Sequence, residues 1–296
     1  MRSLSLGVYV PNAVTERPRI AQLEATLGAP FDIVSVYFAW QRGLDTAIFD
    51  ELRAILAENR IPLVTWEPWR GPVAAGGDPG NDPVFSLARI LAGDFDVYIR
   101  DWLRQIAALP GRVYLRPMHE MNGNWYPWCG TTNGNEANDY VWVWRYLRLL
   151  ADRVGVYNVT WVWSPYAASV PDIDANSIEG YYPGDDYVDR VALDGYNWGL
   201  SQSWSRWQEF DEIFGDAYRR VAALTRRPIM LAELGASETG GSKADWIRRT
   251  FARMAESYPR IDAVVWFDVA KECDWRIDSS PASLKAFREA AINPRV

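Results

Sequence analysis

The sequence predicts a (β/α)8 barrel occupying residues 1–296 as a single domain. Three observations lead there. Eight short apolar runs rich in β-branched and aromatic residues are spread along the whole chain, and stretches with a 3.6-residue apolar period fill the intervals. No linker, charge block or low-complexity tract interrupts the alternation. Strands that alternate with helices pair in parallel, and eight is the number that closes such a sheet. An open doubly wound sheet is the alternative arrangement of the same elements.

The strand candidates, in order, are LSLGVYV (4–10), DIVSVYFAW (32–40), PLVTWEPW (62–69), VYLRPMHE (113–120), VTWVWSP (159–165), RVALDGYNW (190–198), PIMLAELG (228–235) and AVVWFDVA (263–270). RGPVAAGGDPGNDP (70–83) reads as an extended loop after the third strand, without the strand-to-helix glycine pattern of a phosphate cradle. Between the fourth and fifth strands, NDYVWVWRYLRLLADRVG has a helical period, a cap at Asn138 or Asp139 and a stop at Gly155. After the eighth, SSPASLKAFREAA places Ser280 as cap and Pro281 at the first helical position.

A 296-residue chain that is 49% hydrophobic and 23% charged can bury a large core. Its net charge of −7 argues against a nucleic-acid partner, which needs a basic face. No run approaches the ~20 apolar residues of a membrane span, so no membrane partner is expected. The first strand begins almost at once, leaving no room for a signal peptide. A cytoplasmic protein would begin this way, as would a secreted one whose leader lies outside this sequence. Secretion is the expectation favoured, and a monomer is expected. Cys129 and Cys273 follow strands on opposite sides of a barrel and are expected to be free thiols.

Active sites of such barrels lie at the C-terminal ends of the strands. Those ends collect aromatics and carboxylates here: Trp40; Trp66, Glu67 and Trp69; His119, Glu120 and Trp125; Trp163; Tyr196 and Trp198; Glu233; Trp266 and Asp268. Indole and phenol rings around carboxylates suit a sugar, whose C–H face stacks while its hydroxyls bond polar groups. Two-residue alternation puts Tyr114, Arg116, Met118 and Glu120 on one face of the fourth strand, and Ile229, Leu231 and Glu233 on one face of the seventh. If both faces point inward, Glu120 and Glu233 converge. Glycoside hydrolysis needs such a pair.

An inward Arg116 would require an anionic partner. Glu233 is one candidate; Asp194 or another barrel carboxylate is the purely structural alternative. Tyr196 is placed to hydrogen-bond Glu233. Other chemistries fail on residue supply. His119 is the sole histidine, position 123 is Gly where a zinc-protease helix needs a second His, and no G-x-S-x-G elbow occurs. No metal or cofactor is expected.

RPMHEMNGNWYPW (116–128), with WVWSP, YYPGDDYVDRVALDGYNW, PIMLAELGASE and VVWFD, resembles glycoside hydrolase family 26, over nearly the whole chain from the second strand to the eighth. The resemblance implies a retaining hydrolase of a β-linked polysaccharide, with Glu120 as acid/base and Glu233 as nucleophile. It implies that Arg116, His119 and Tyr196 order the −1 subsite and that Trp125 and Trp266 stack on sugar, with no metal. Family members are mostly endo-β-mannanases; others cleave mixed-linkage β-1,3-1,4-glucan or β-1,3-xylan. Mannanases of the family commonly carry a histidine near the end of strand three, which VTWEPW lacks. VTWEPW and GYNW are more similar to the mixed-linkage glucanases, which would give Trp66, Glu67 and Trp198 substrate contacts. The alternatives are an endo-β-1,4-mannanase, then a β-1,3-xylanase, or a sugar-binding barrel without catalysis.

Overall fold

In the computed structural model, residues 4–11, 17–71 and 80–292 are described. Eight parallel strands close in sequence order: β1 (Ser5–Tyr9), β2 (Ile33–Ala39), β3 (Ile61–Glu67), β4 (Val113–Pro117), β5 (Val159–Trp163), β6 (Arg190–Asn197), β7 (Ile229–Ala236) and β8 (Ile261–Phe267), with β8 paired back to β1. Closure excludes the doubly wound alternative. Around the barrel lie α1 (Arg17–Leu27), α2 (Thr46–Ala57), α3 (Leu87–Leu91), α4 (Asp96–Ala107), α5 (Ala137–Val154), α6 (Phe210–Leu224), α7 (Lys243–Ser257) and α8 (Pro281–Ile292). Most of the loop expected at 70–83 falls outside the described residues.

The helix ends largely follow local chemistry. Gly155 closes α5 in the left-handed conformation, φ 83°, as its position suggested. Its start differs from expectation. Glu136 is the N-cap, and a reciprocal capping box with Asp139 satisfies donors at both ends of that turn. The Ser280 hydroxyl accepts from the Ser283 amide at 3.1 Å, capping α8 as expected.

Strand alternation separates two cores. Ile33, Leu63, Tyr114, Val162, Ala192, Met230 and Val265 fill the barrel. Their strand neighbours Val34, Val64, Leu115, Trp161, Val191, Leu231 and Val264 pack outward in the layer that holds the helices. That parity decides which strand-end aromatics can reach the mouth of the barrel.

Two departures from regular strand geometry then place the carboxylates. β4 stops at Pro117, so the alternation expected through Glu120 does not continue. Met118 and Glu120 adopt φ 51° and φ 53°, values that cost roughly 1–2 kcal/mol each for a side-chain-bearing residue. Met118 ends fully buried in the outer core rather than sharing a face with Arg116. In β7 the pairing with β6 runs Leu193 to Leu231 and then Asp194 to Glu233, skipping Ala232. Ile229 and Leu231 therefore face outward, contrary to the alternation argument. The extra residue at Ala232 reverses the parity and turns Glu233 inward.

Candidate active site

Glu120 and Glu233 meet at the C-terminal mouth. One oxygen of each and a His119 ring nitrogen all lie within 4.8 Å of one another. The two carboxylates have different surroundings. Glu233 accepts hydrogen bonds on both oxygens: Oε1 from the Tyr37 hydroxyl and from Arg116 Nη2 at 2.7 Å, and Oε2 from the Tyr196 hydroxyl. Burial, with Glu233 next in weight, holds both tyrosine hydroxyls well above their ordinary pKa, so they remain donors. Glu120 accepts the Trp125 indole N–H at 2.6 Å. Burial, then the charge of Glu233, pushes the Glu120 carboxyl well above the usual carboxylate range.

Arg116 is fully buried and answers both partner alternatives at once. Nη1 reaches the Asp194 carboxylate at 2.9 and 3.0 Å, Nη2 reaches Glu233, and Nε and Nη2 reach the Thr65 hydroxyl at 3.0 and 2.7 Å. Asp194 also accepts from the Ser164 hydroxyl at 2.8 Å. A buried guanidinium is tolerable only when its fork is paired this completely.

His119 is buried, with Nε2 3.8 Å from Glu233 Oε1. Burial, and next the charge of Arg116, push its pKa well below the ordinary imidazole value, so it is neutral. Its ring packs at 4.8 Å from Tyr126, and its carbonyl accepts the Trp128 indole N–H at 2.7 Å. Glu67 also faces the mouth. Desolvation by burial pushes its carboxyl up to about 8, outweighing the opposing effects of the Trp69 side chain and the Arg116 charge.

Of the expected sugar contacts, Trp125 and Trp198 are at the mouth and half-buried. Gly123 serves Trp125 by close approach: a Cβ there would sit 2.6 Å from the indole. Trp66 and Trp266 do not face the mouth. Trp66 is fully buried, stacked on Trp102 of α4 at 4.2 Å, with its N–H on the Tyr98 hydroxyl. Trp266 is fully buried between Trp246 of α7 and Phe287 of α8, its N–H on the Trp275 carbonyl. Strand parity is the reason: Thr65 and Glu67 point in, so Trp66 between them points out, and Val265 and Phe267 do the same to Trp266. Asp268 holds Arg19 at 2.8 Å and the Ile277 amide at 2.6 Å, fastening the loop after β8. Cys129 and Cys273 are free thiols.

The sequence reading missed Tyr37, Tyr9, Tyr166 and Trp275. Tyr37 shares the parity of Ile33 and Ser35 in β2, and that was the available signal. Tyr9 stacks on Phe267 at 4.8 Å, Tyr166 meets Trp125 edge-on at 5.3 Å, and Trp275 lies 4.9 Å from Tyr196.

The model of the family described as Glycosyl hydrolase family 26 matches residues 87–259, more than half of the chain and spanning β4 to β7. The chain belongs to glycosyl hydrolase family 26. Across 97% of its length this family 26 chain is 36% identical to Endoglucanase H of Acetivibrio thermocellus, and covers 30% of that protein. It is 32% identical over 53% of its length to mannan endo-1,4-beta-mannosidase A and B of Caldalkalibacillus mannanilyticus, covering 28% of it. The chain thus spans less than a third of the length of these relatives. Among solved structures, the catalytic domain of a Bacillus sp. family 26 endo-beta-1,4-mannanase superposes with a TM-score of 0.73 at 19% identity, over 99% of this chain and 86% of that one. That likeness concerns the fold. Among the described residues no helix is long and apolar enough to cross a membrane.

Proposed function

We propose that this family 26 chain is a retaining endo-β-glycanase that cleaves a β-linked polysaccharide through a covalent intermediate on Glu233. The observation that carries this is the carboxylate pair: oxygens of Glu120 and Glu233 within 4.8 Å fit the ~5 Å of retaining enzymes and leave no room for the intervening water of inverting ones, which need roughly 6.5–9.5 Å. Glu233, with both oxygens fixed by hydroxyl and guanidinium donors, is the nucleophile. It attacks the anomeric carbon while Glu120, kept protonated by burial and by the charge of Glu233, gives its proton to the leaving oxygen. Glu120, now ionised, then takes a proton from water as that water displaces Glu233 and restores its carboxylate. Arg116 and Tyr196 hold the nucleophile, and neutral His119 packs beside it.

For the substrate we favour a β-glucan, mixed-linkage β-1,3-1,4 in particular. Glu67 stands where strand three ends and no histidine does, and the relative matching 97% of the chain is named an endoglucanase. The relatives named mannosidases each match about half of the chain or less; they make β-1,4-mannan the second reading. A polymeric substrate of this kind places the reaction outside the cell, with the chain acting as a monomer. Proton NMR of the first product formed from barley β-glucan is the test. Retained β anomer is expected, and initial α anomer rejects the mechanism. Faster reducing-end release from galactomannan than from β-glucan rejects the substrate preference. Tight binding with no new ends on any polysaccharide rejects catalysis.

A further inference from the structure

Trp204, in the loop after β6, is 69% exposed although it is a large apolar ring. Singly exposed apolar residues are ordinary, but two further observations set this one apart. The first is continuity with the catalytic centre. The Tyr196 hydroxyl donates to Glu233, the Tyr196 ring lies 5.9 Å from Trp198, and Trp198 lies 5.2 Å from Trp204. An unbroken aromatic path therefore runs from the nucleophile to the surface. The second is rigidity. The Asn197 side-chain oxygen accepts from the Gly199 and Gln208 amides at 3.2 and 3.1 Å, and the Ser205 hydroxyl donates to the Gly199 carbonyl at 2.8 Å. Leu200 is tied to the Thr239 carbonyl at 2.9 Å, and Gln208 to the Trp246 indole N–H at 2.9 Å. The loop is pinned at both ends and across its middle. Trp142 on α5 is the contrast: 57% exposed, with the Arg145 guanidinium over its ring at 5.7 Å.

We propose that Trp198 and Trp204 form an outer sugar-binding platform that holds polysaccharide units beyond those touching Glu120 and Glu233. The occupant is the substrate itself, because the rings continue the cleft and an exposed indole face matches the C–H face of a pyranose. The platform rests on the glycanase reading above, and it concerns chain length rather than bond cleavage. Its test compares barley β-glucan with a short activated aryl β-glycoside. In Trp204→Ala the ratio of kcat/KM on the polymer to that on the aryl glycoside falls about fivefold to tenfold, from the loss of one stacking contact. The fall lies in KM, Trp204→Phe restores most of it, and Trp142→Ala leaves the ratio unchanged. An unchanged ratio in Trp204→Ala overturns the platform while leaving the catalytic reading intact, as does an equal loss on both substrates. If the wild type cleaves nothing, retardation in native gels containing β-glucan still decides: retardation weakened by Trp204→Ala supports the platform, and unaltered retardation overturns it.

Discussion

Replacing Tyr37 by Phe removes one hydroxyl and nothing else. The ring stays, with its edge-on contact to Tyr9 at 4.7 Å and its place 5.6 Å from the Arg116 guanidinium. Arg116 Nη2 loses a 3.0 Å contact to that hydroxyl but keeps Thr65 at 2.7 Å and Glu233 at 2.7 Å, so no buried donor is orphaned. Stability should change little. Glu233 Oε1, in contrast, loses a hydrogen bond to a charged acceptor, worth about 1.5–3 kcal/mol. The loss falls unevenly on the two chemical steps. When the intermediate breaks down, Glu233 regains its negative charge, and donors waiting at that oxygen stabilise the developing charge. If the whole contribution is expressed there, deglycosylation slows by about 10- to 150-fold. Stopped-flow measurement on an activated aryl glycoside should then show a burst of released phenol followed by a slow steady state. Burst and steady-state rates both within twofold of wild type would refute the idea that the Tyr37 hydroxyl acts on the nucleophile.

Three further outcomes follow from the same structure. Glu120→Gln should lower kcat on β-glucan by about 10²- to 10⁴-fold, with a much smaller effect on formation of the intermediate from aryl glycosides whose leaving groups need no proton. Added azide should restore the second step, and equal loss on both substrates would count against Glu120 as proton donor. Glu67, raised to about 8 in the folded state, holds a proton between its unfolded value near 4.3 and pH 8 that the unfolded chain releases. Its burial therefore costs stability as pH rises through that window, on the order of a few kcal/mol in total. Urea unfolding at pH 5 and pH 8 should show a smaller loss in Glu67→Gln than in wild type, and equal losses would contradict the assignment. Gly199→Ala places a Cβ 1.9 Å from the Thr239 carbonyl oxygen at φ 54°. It should destabilise by about 2–4 kcal/mol, read as a lower urea midpoint with unchanged slope.

The barrel was legible because its signal is periodic and repeated eight times, so errors of up to three residues at each end did not accumulate. The site was legible by a different route. Residue types and the motif around Glu120 pointed to a carboxylate pair that the barrel does bring together, whereas the alternation argument used to aim them inward fails in both strands. In β4 it fails because the strand ends at Pro117 and two residues take positive φ. In β7 it fails because a bulge at Ala232 sits inside an apolar run with no Gly or Pro to advertise it. The wrong stacking residues have the opposite cause. Trp66 and Trp266 were favoured as aromatics near strand ends, although simple parity with Glu67 and Phe267 already turns them toward the helices. The same parity, applied to β2, would have found Tyr37.

The bulge in β7 also bears on how such a centre can be lost or rebuilt. Point substitutions around Ala232 alter packing but leave the direction of Glu233 intact. Deleting Ala232 would remove the bulge yet leave Glu233 opposite Asp194 and facing inward, whereas pairing the same letters with β6 in unbroken register would swing the glutamate into the helix layer. A homologue could thus keep the whole signature and still be inert, and a designer grafting the glutamate onto a straight strand would reproduce the spelling without the aim. Aligning strand lengths, residue by residue against β6, is therefore a stricter guide to competence in this family than matching its catalytic letters.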